Sequence, residues 1–128
     1  MVQKVTRGIK ISVKTNFEGT YFQNYRLHFA FHYQITIENQ CKDAIQIVAR
    51  KWEIFDALNQ MEIIAGEGIV GKKPVIQPGH THTYQSGSLL TSPIGAMRGF
   101  FEVVNFTTTK RFQVAIPTFQ LNTPYIMN

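Results

Sequence analysis

Apolar and polar residues alternate at period two through most of this chain, and almost every element they predict is a strand. From Ile9 to Phe17, Ile9, Ile11, Val13, Thr15 and Phe17 alternate with Lys10, Ser12, Lys14 and Asn16, as in a half-buried strand. Thr20 to Arg26 reads as a polar, aromatic connection. Leu27, Phe29, Phe31, Tyr33, Ile35 and Ile37 then give the longest run of the pattern and predict a central strand. Asn39 to Asp43 predicts a turn. In Ile45 to Phe55 the apolar phase slips from Ile45 and Ile47 to Val48, Trp52 and Ile54, and a bulge between Val48 and Lys51 reconciles the two halves. Met61 to Ala65 and Thr81 to Gly87 predict short strands. Ala96 to Asn105 and Arg111 to Thr118 predict a hairpin, with Phe112, Val114 and Ile116 facing the core. Pro117 and Pro124 predict an edge strand or an extended arm. No apolar repeat persists at helical spacing. Seven to eight short strands at this spacing predict an all-β fold, an antiparallel β-sandwich, with a small barrel as the alternative.

Between the fifth strand pattern and Thr81 the alternation fails. Ala65 to Gly79, AGEGIVGKKPVIQPG, places Gly66, Gly68 and Gly71 within six residues, follows them with Lys72 and Lys73, and closes on Pro78 and Gly79. The spacing G-x-G-x-x-G suits a dinucleotide-binding turn only where a helix follows, and Pro74 and Pro78 forbid one. Two readings remain: glycines that let the backbone turn sharply or pack closely, and a nest of amides that, with Lys72 and Lys73, holds a phosphate-containing small molecule.

These strand patterns and glycines together resemble the ApaG family. The segments Trp52 to Asp56, Gly66 to Gly71, Pro74 to Gly79, Tyr84 to Gly87, Pro93 to Gly99 and Ile116 to Leu121 carry the resemblance, in that order and over nearly the whole chain. It implies one ApaG domain over residues 1–128, with a sandwich similar to fibronectin type III and immunoglobulin-like domains. Phe101 stands where tyrosine is common, and Asn59 where the turn often carries glycine. The resemblance also implies an association with cobalt tolerance and magnesium efflux, a gene neighbour that hydrolyses diadenosine tetraphosphate, and protein-interaction roles in eukaryotic relatives. It implies no established enzymatic activity.

Charge and candidate chemistry narrow the picture further. Thirteen Lys and Arg against eight Asp and Glu give a net charge of +5, but no basic block exceeds two adjacent residues. That spread argues against a nucleic-acid surface. Cys41 is the only cysteine, which excludes an intramolecular disulfide and suits a reducing compartment. The opening MVQKVTRGIK has no apolar segment and no run approaches the ~18 residues of a spanning helix, so the expected address is cytoplasmic, without membrane contact. His28 and His32 share a strand face but stand roughly 13 Å apart, too far for one metal ion, whereas His80 and His82 stand about 6.6 Å apart on one side. These two are the candidate ligands if a divalent metal binds directly; no other cofactor is expected. No catalytic constellation emerges. The leading expectation is a non-enzymatic module with a protein partner, its groove rimmed by Arg50, Trp52 and Arg98. A pyrophosphate or nucleotide binder or hydrolase using the glycine loop is the alternative. An uncapped edge strand offers a route to a homodimer.

Overall fold

The alternation is realised as two antiparallel sheets in a computed structural model that describes residues 1–124. Among the described residues the strands are β1 (Val2–Thr6), β2 (Ile9–Gln23), β3 (Arg26–Asn39), β4 (Ile45–Asp56), β5 (Glu62–Glu67), β6 (Val75–Ile76), β7 (Thr81–Leu90), β8 (Ile94–Asn105) and β9 (Arg111–Asn122). One sheet runs β1-β2-β3-β7. The other runs β5-β4-β8-β9, with β6 pairing to β4 beyond the end of β5. The sandwich is as the alternation predicts. Ile9, Ile11 and Val13 of β2 and Phe31, Tyr33, Ile35 and Ile37 of β3 face Ile45, Ile47, Trp52, Phe101, Val103 and Val114 from the opposite sheet, all buried. Tyr33, Trp52 and Phe119 meet pairwise at 5.6–5.8 Å between ring centroids and lock the two sheets together. Such aromatic pairs add about 0.5–1.5 kcal/mol each beyond the burial of their area.

Two departures from the alternation are absorbed by bulges. The register of β4 against β8 shifts between Ile47 and Ala49, where the phase slip requires it. On β9 the buried phase changes from Val114 and Ile116 to Phe119 and Leu121, and the register against β8 shifts between Met97 and Gly99. Pro117 falls within that shift, where its missing N–H costs no ladder bond. The tail expected after Pro117 is thus mostly β9, an edge strand; its last residues lie outside the described residues.

Three elements differ from expectation. The connection expected at Thr20 to Arg26 is strand on both sides of a two-residue turn, Asn24-Tyr25, with φ of 53° and 60°. A bulge next to Gly19 resets the pairing so that Gln23 still meets Arg26. This tip is exposed on both faces, so it shows no apolar alternation. The same reason hid β1, whose residues are exposed except Thr6. The two-residue β6 is too short for any period.

The two long sides of the sandwich differ. On one, β1 lies over β9: the Ala115 N–H reaches Thr6 Oγ1 at 3.4 Å and the Arg7 guanidinium stands 5.7 Å from the Phe112 ring centre. On the other, the edges of β5 and β7 diverge and leave a cleft of about 560 Å³. No helix among the described residues is long and apolar enough to cross a membrane.

Candidate binding cleft

The glycine segment does not line this cleft but supports Arg50, which does. After β5 the chain folds into a tight reversal in which Ile69 and Lys72 exchange backbone hydrogen bonds of 2.7 and 3.0 Å. Gly68, Val70 and Gly71 all take positive φ, and a Cβ at Gly68 would run into the Lys72 carbonyl. Ile69 is buried and pins the loop to the core. The Gly68 N–H donates to the Val48 carbonyl at 2.8 Å. With the amides of Gly68, Ile69 and Lys72 engaged by backbone carbonyls, the loop does not present a continuous run of free donors. Lys72 is exposed, and Lys73 pairs with Glu67 at 3.3 Å.

What this loop presents inward is carbonyl oxygen, and Arg50 receives it. Arg50 Nη1 donates to the Glu67 carbonyl at 2.9 Å and to the Gly68 carbonyl at 3.0 Å. Gly66 pairs directly with Arg50 across the β4–β5 ladder, and a Cβ there would stand 3.1 Å from both terminal guanidinium nitrogens. The absence of a side chain at 66 therefore lets the guanidinium lie across β5. After the β4 bulge the even residues face inward, so Arg50, Trp52, Ile54 and Asp56 follow one another along the cleft floor. Ile64 lies beside Trp52 and Glu62 beside Ile54. Ser86 and Ser88 of β7, with Tyr33 of β3, form the facing wall.

Burial raises the Tyr33 phenol pKa against a hydrogen bond with Ser86 and the nearby Arg50 charge. Burial and the neighbouring Tyr33 also push the Tyr84 phenol up, and its buried hydroxyl has no hydrogen-bond partner among the described residues. Both rings thus remain neutral around a charged Arg50. At the far end, partial burial of Asp56 favours its neutral form, but hydrogen bonds from the Thr91 amide, the Ser92 and Thr91 hydroxyls and the Leu58 amide outweigh it and hold the carboxyl below its usual value of 3.8. Three of these bonds measure 2.7 Å. The unfolded chain binds this proton more tightly, so the contribution is complete above the ordinary carboxyl pKa and fades as pH falls through the folded one. Acid titration of unfolding should show stability falling below about pH 4, and Asp56→Asn should flatten that part of the curve. An unchanged curve would remove Asp56 as the acid-sensitive tie.

Of the residues singled out in the sequence, the structure brings Arg50, Trp52 and Gly66 together, with Gly68 behind Arg50. Gly71, Lys72 and Lys73 lie on the loop's exposed side. Arg98 is elsewhere: it pairs with Glu53 at 2.8 Å and its guanidinium stands 5.0 Å from the Phe55 ring centre, on the outer face of β4 and β8. His80 is exposed in the turn before β7. His82 is partly buried beside Tyr84, its pKa lowered by that burial and by Lys72. No group of three or more His, Cys, Asp or Glu that could hold a metal ion occurs among the described residues. Asp56, Glu62, Ser86, Ser88 and His28 line the cleft without having been singled out. The inward phase of Trp52 was the available signal for Asp56, but for Glu62 only the β4–β5 register supplies it.

A family model described as the ApaG domain matches residues 19–105. A Protein ApaG from Acidithiobacillus ferrooxidans is 42% identical over 113 residues, 88% of each chain. One from Beijerinckia indica subsp. indica is 39% identical over 127 residues, 98% of this chain and 95% of that one. Among solved structures, an X-ray structure of a structural-genomics target superposes with a TM-score of 0.88 at 32% identity, covering 93% of this chain and 89% of that one. The crystal structure of a Bordetella pertussis protein assigned as ApaA gives 0.81 at 30% identity, covering 91% and 94%.

Proposed function

The chain belongs to the ApaG domain family, and from that premise we propose that it is a non-enzymatic binding module whose partner lies in the cleft between β5 and β7. One observation carries this reading: a polar and aromatic cleft opens between two sheet edges, and Arg50 within it has no carboxylate partner among the described residues. Free edges supply backbone donors and acceptors to an added strand, which is how sandwich domains commonly take extended peptides. The association with cobalt tolerance and magnesium efflux would then act through a bound protein partner in the cytoplasm. His80 and His82 would need a ligand from outside the described residues to hold a metal.

Titration of isotope-labelled protein with a degenerate library of end-blocked peptides should move the backbone amides of residues 62–66 and 83–90. Changes restricted to β1 or β9, or none, would overturn the proposal. Pyrophosphate or diadenosine tetraphosphate shifting only residues 68–73 would favour the anion-loop alternative. Concentration-dependent pairing of two copies through β5 or β7 would identify the occupant as a second copy.

A further inference from the structure

The cleft is electrically polarised along its length, and this restricts what fits it. At one end stands Arg50. Its Nη1 is committed to two carbonyls, while its Nε and Nη2 hydrogens have no acceptor among the described residues. At the other end stand the carboxylates of Glu62, beside Ile54, and Asp56. Asp56 is saturated by Thr91 and Ser92 between β7 and β8, which leaves Glu62, exposed and without an ion-pair partner among the described residues, as the available acid. Between the ends the floor is Trp52 and Ile64. Arg50 and Ile54 are four positions apart on β4, so the two charges are separated by about 13 Å along the strand direction.

Resting on the cleft reading above, we propose that the partner is an extended peptide segment with an acidic side chain at Arg50 and a basic side chain four residues away at Glu62. In an extended chain, positions i and i+4 point to the same side and span the same ~13 Å. The intervening inward residue would pack on Trp52 and Ile64, and the segment's backbone would run along a free sheet edge. A carboxylate can accept from Nε and Nη2 together, the planar fork that guanidinium presents. The two acids in the cleft, set against one cation, disfavour a multiply charged phosphate ligand. Gly66 acquires a role here: it leaves the guanidinium flat and open to the cleft.

The test uses end-blocked heptapeptides with a β-branched middle, glutamate at the second position and lysine at the sixth, and the same pair in reverse order. One order should bind roughly 10- to 100-fold more tightly than its glutamine-for-glutamate counterpart. Arg50→Met should erase that difference, and so should Gly66→Ala, which retains the guanidinium but displaces it. Glu62→Lys should reverse the preference at the sixth position from lysine to glutamate. Glu62 is exposed, so this variant remains informative if Arg50→Met fails to fold. Equal binding of the glutamate and glutamine peptides, or an equal loss of both in Arg50→Met, would overturn the inference. If such peptides still shift residues 62–66 and 83–90, the cleft remains the binding seat with different chemistry. If none does, both proposals fall.

Discussion

Gly99→Ala is expected to lose about 3 kcal/mol or more of folding stability, enough to lower the melting temperature by roughly 10 °C. Gly99 sits in β8, opposite Trp52 of β4 on one side and Ile116 of β9 on the other. A Cβ built on it would collide with the Lys51 carbonyl oxygen and come within 3.2 Å of the Trp52 Cα. These are backbone atoms of the adjacent strand, so relief requires the β4–β8 ladder to shift rather than a side chain to rotate. That ladder also positions Trp52 in the contact between sheets. Gly87 provides a graded comparison, because its added Cβ would stand 3.0 Å from the Phe31 carbonyl and a small adjustment would accommodate it. Denaturant unfolding of Gly99→Ala and Gly87→Ala should rank them in that order. A loss below about 1 kcal/mol at Gly99 would refute the close strand approach.

Asn39→Asp is the second large effect, although it hardly changes shape. Asn39 is fully buried. Its Nδ2 donates to the carbonyls of Asp43 and Ile76 at 2.8 and 3.0 Å, and its Oδ1 accepts from the Cys41 amide at 2.9 Å. Its backbone joins the segment before β7, donating to the His80 carbonyl and accepting from the Gly79 amide. The residue therefore ties the turn after β3 to the end of the glycine–proline segment. A carboxylate in its place would accept only, facing two carbonyl oxygens without a donor. The expected cost is about 3–5 kcal/mol at neutral pH. Burial and the carbonyls would raise the new carboxyl's pKa, so the variant should regain stability as pH falls through that raised value toward the ordinary carboxyl range. A substitution cost that is small and independent of pH would show that the Asn39 hydrogen bonds do not hold this junction.

The cleft was legible in pieces. Trp52 and Arg50 share a phase once the bulge at Val48 is admitted, and both were singled out as rim residues. Arg98 is a third rim candidate by sequence, yet the register sets it against Glu53 on the other face. Nothing in local spacing distinguishes those positions, since the side of the sheet depends on which residues the neighbouring strands oppose. The glycines illustrate the same division. Their density signalled an unusual backbone, and Pro74 and Pro78 ruled out a helix, but whether the loop would aim amides or carbonyls inward was not encoded in composition.

Period-two alternation alone determined that this chain forms half-buried strands around a shared core, because the same residues must leave water wherever the partner sheet comes from; that they close as two sheets rather than a barrel is set by the strand pairing. The bulge in β4 was also determined locally, by a phase slip that only an extra residue can absorb. Tertiary structure decided the rest. That β1 lies over β9 on one long side of the sandwich, while β5 and β7 border the cleft on the other, follows from the strand pairing and from no local pattern. The orientation of the glycine segment likewise follows from its pairing: Gly68 gives its amide to Val48 and its carbonyl to Arg50, and so the stretch that looked like a cradle for an anion serves as the support for a guanidinium.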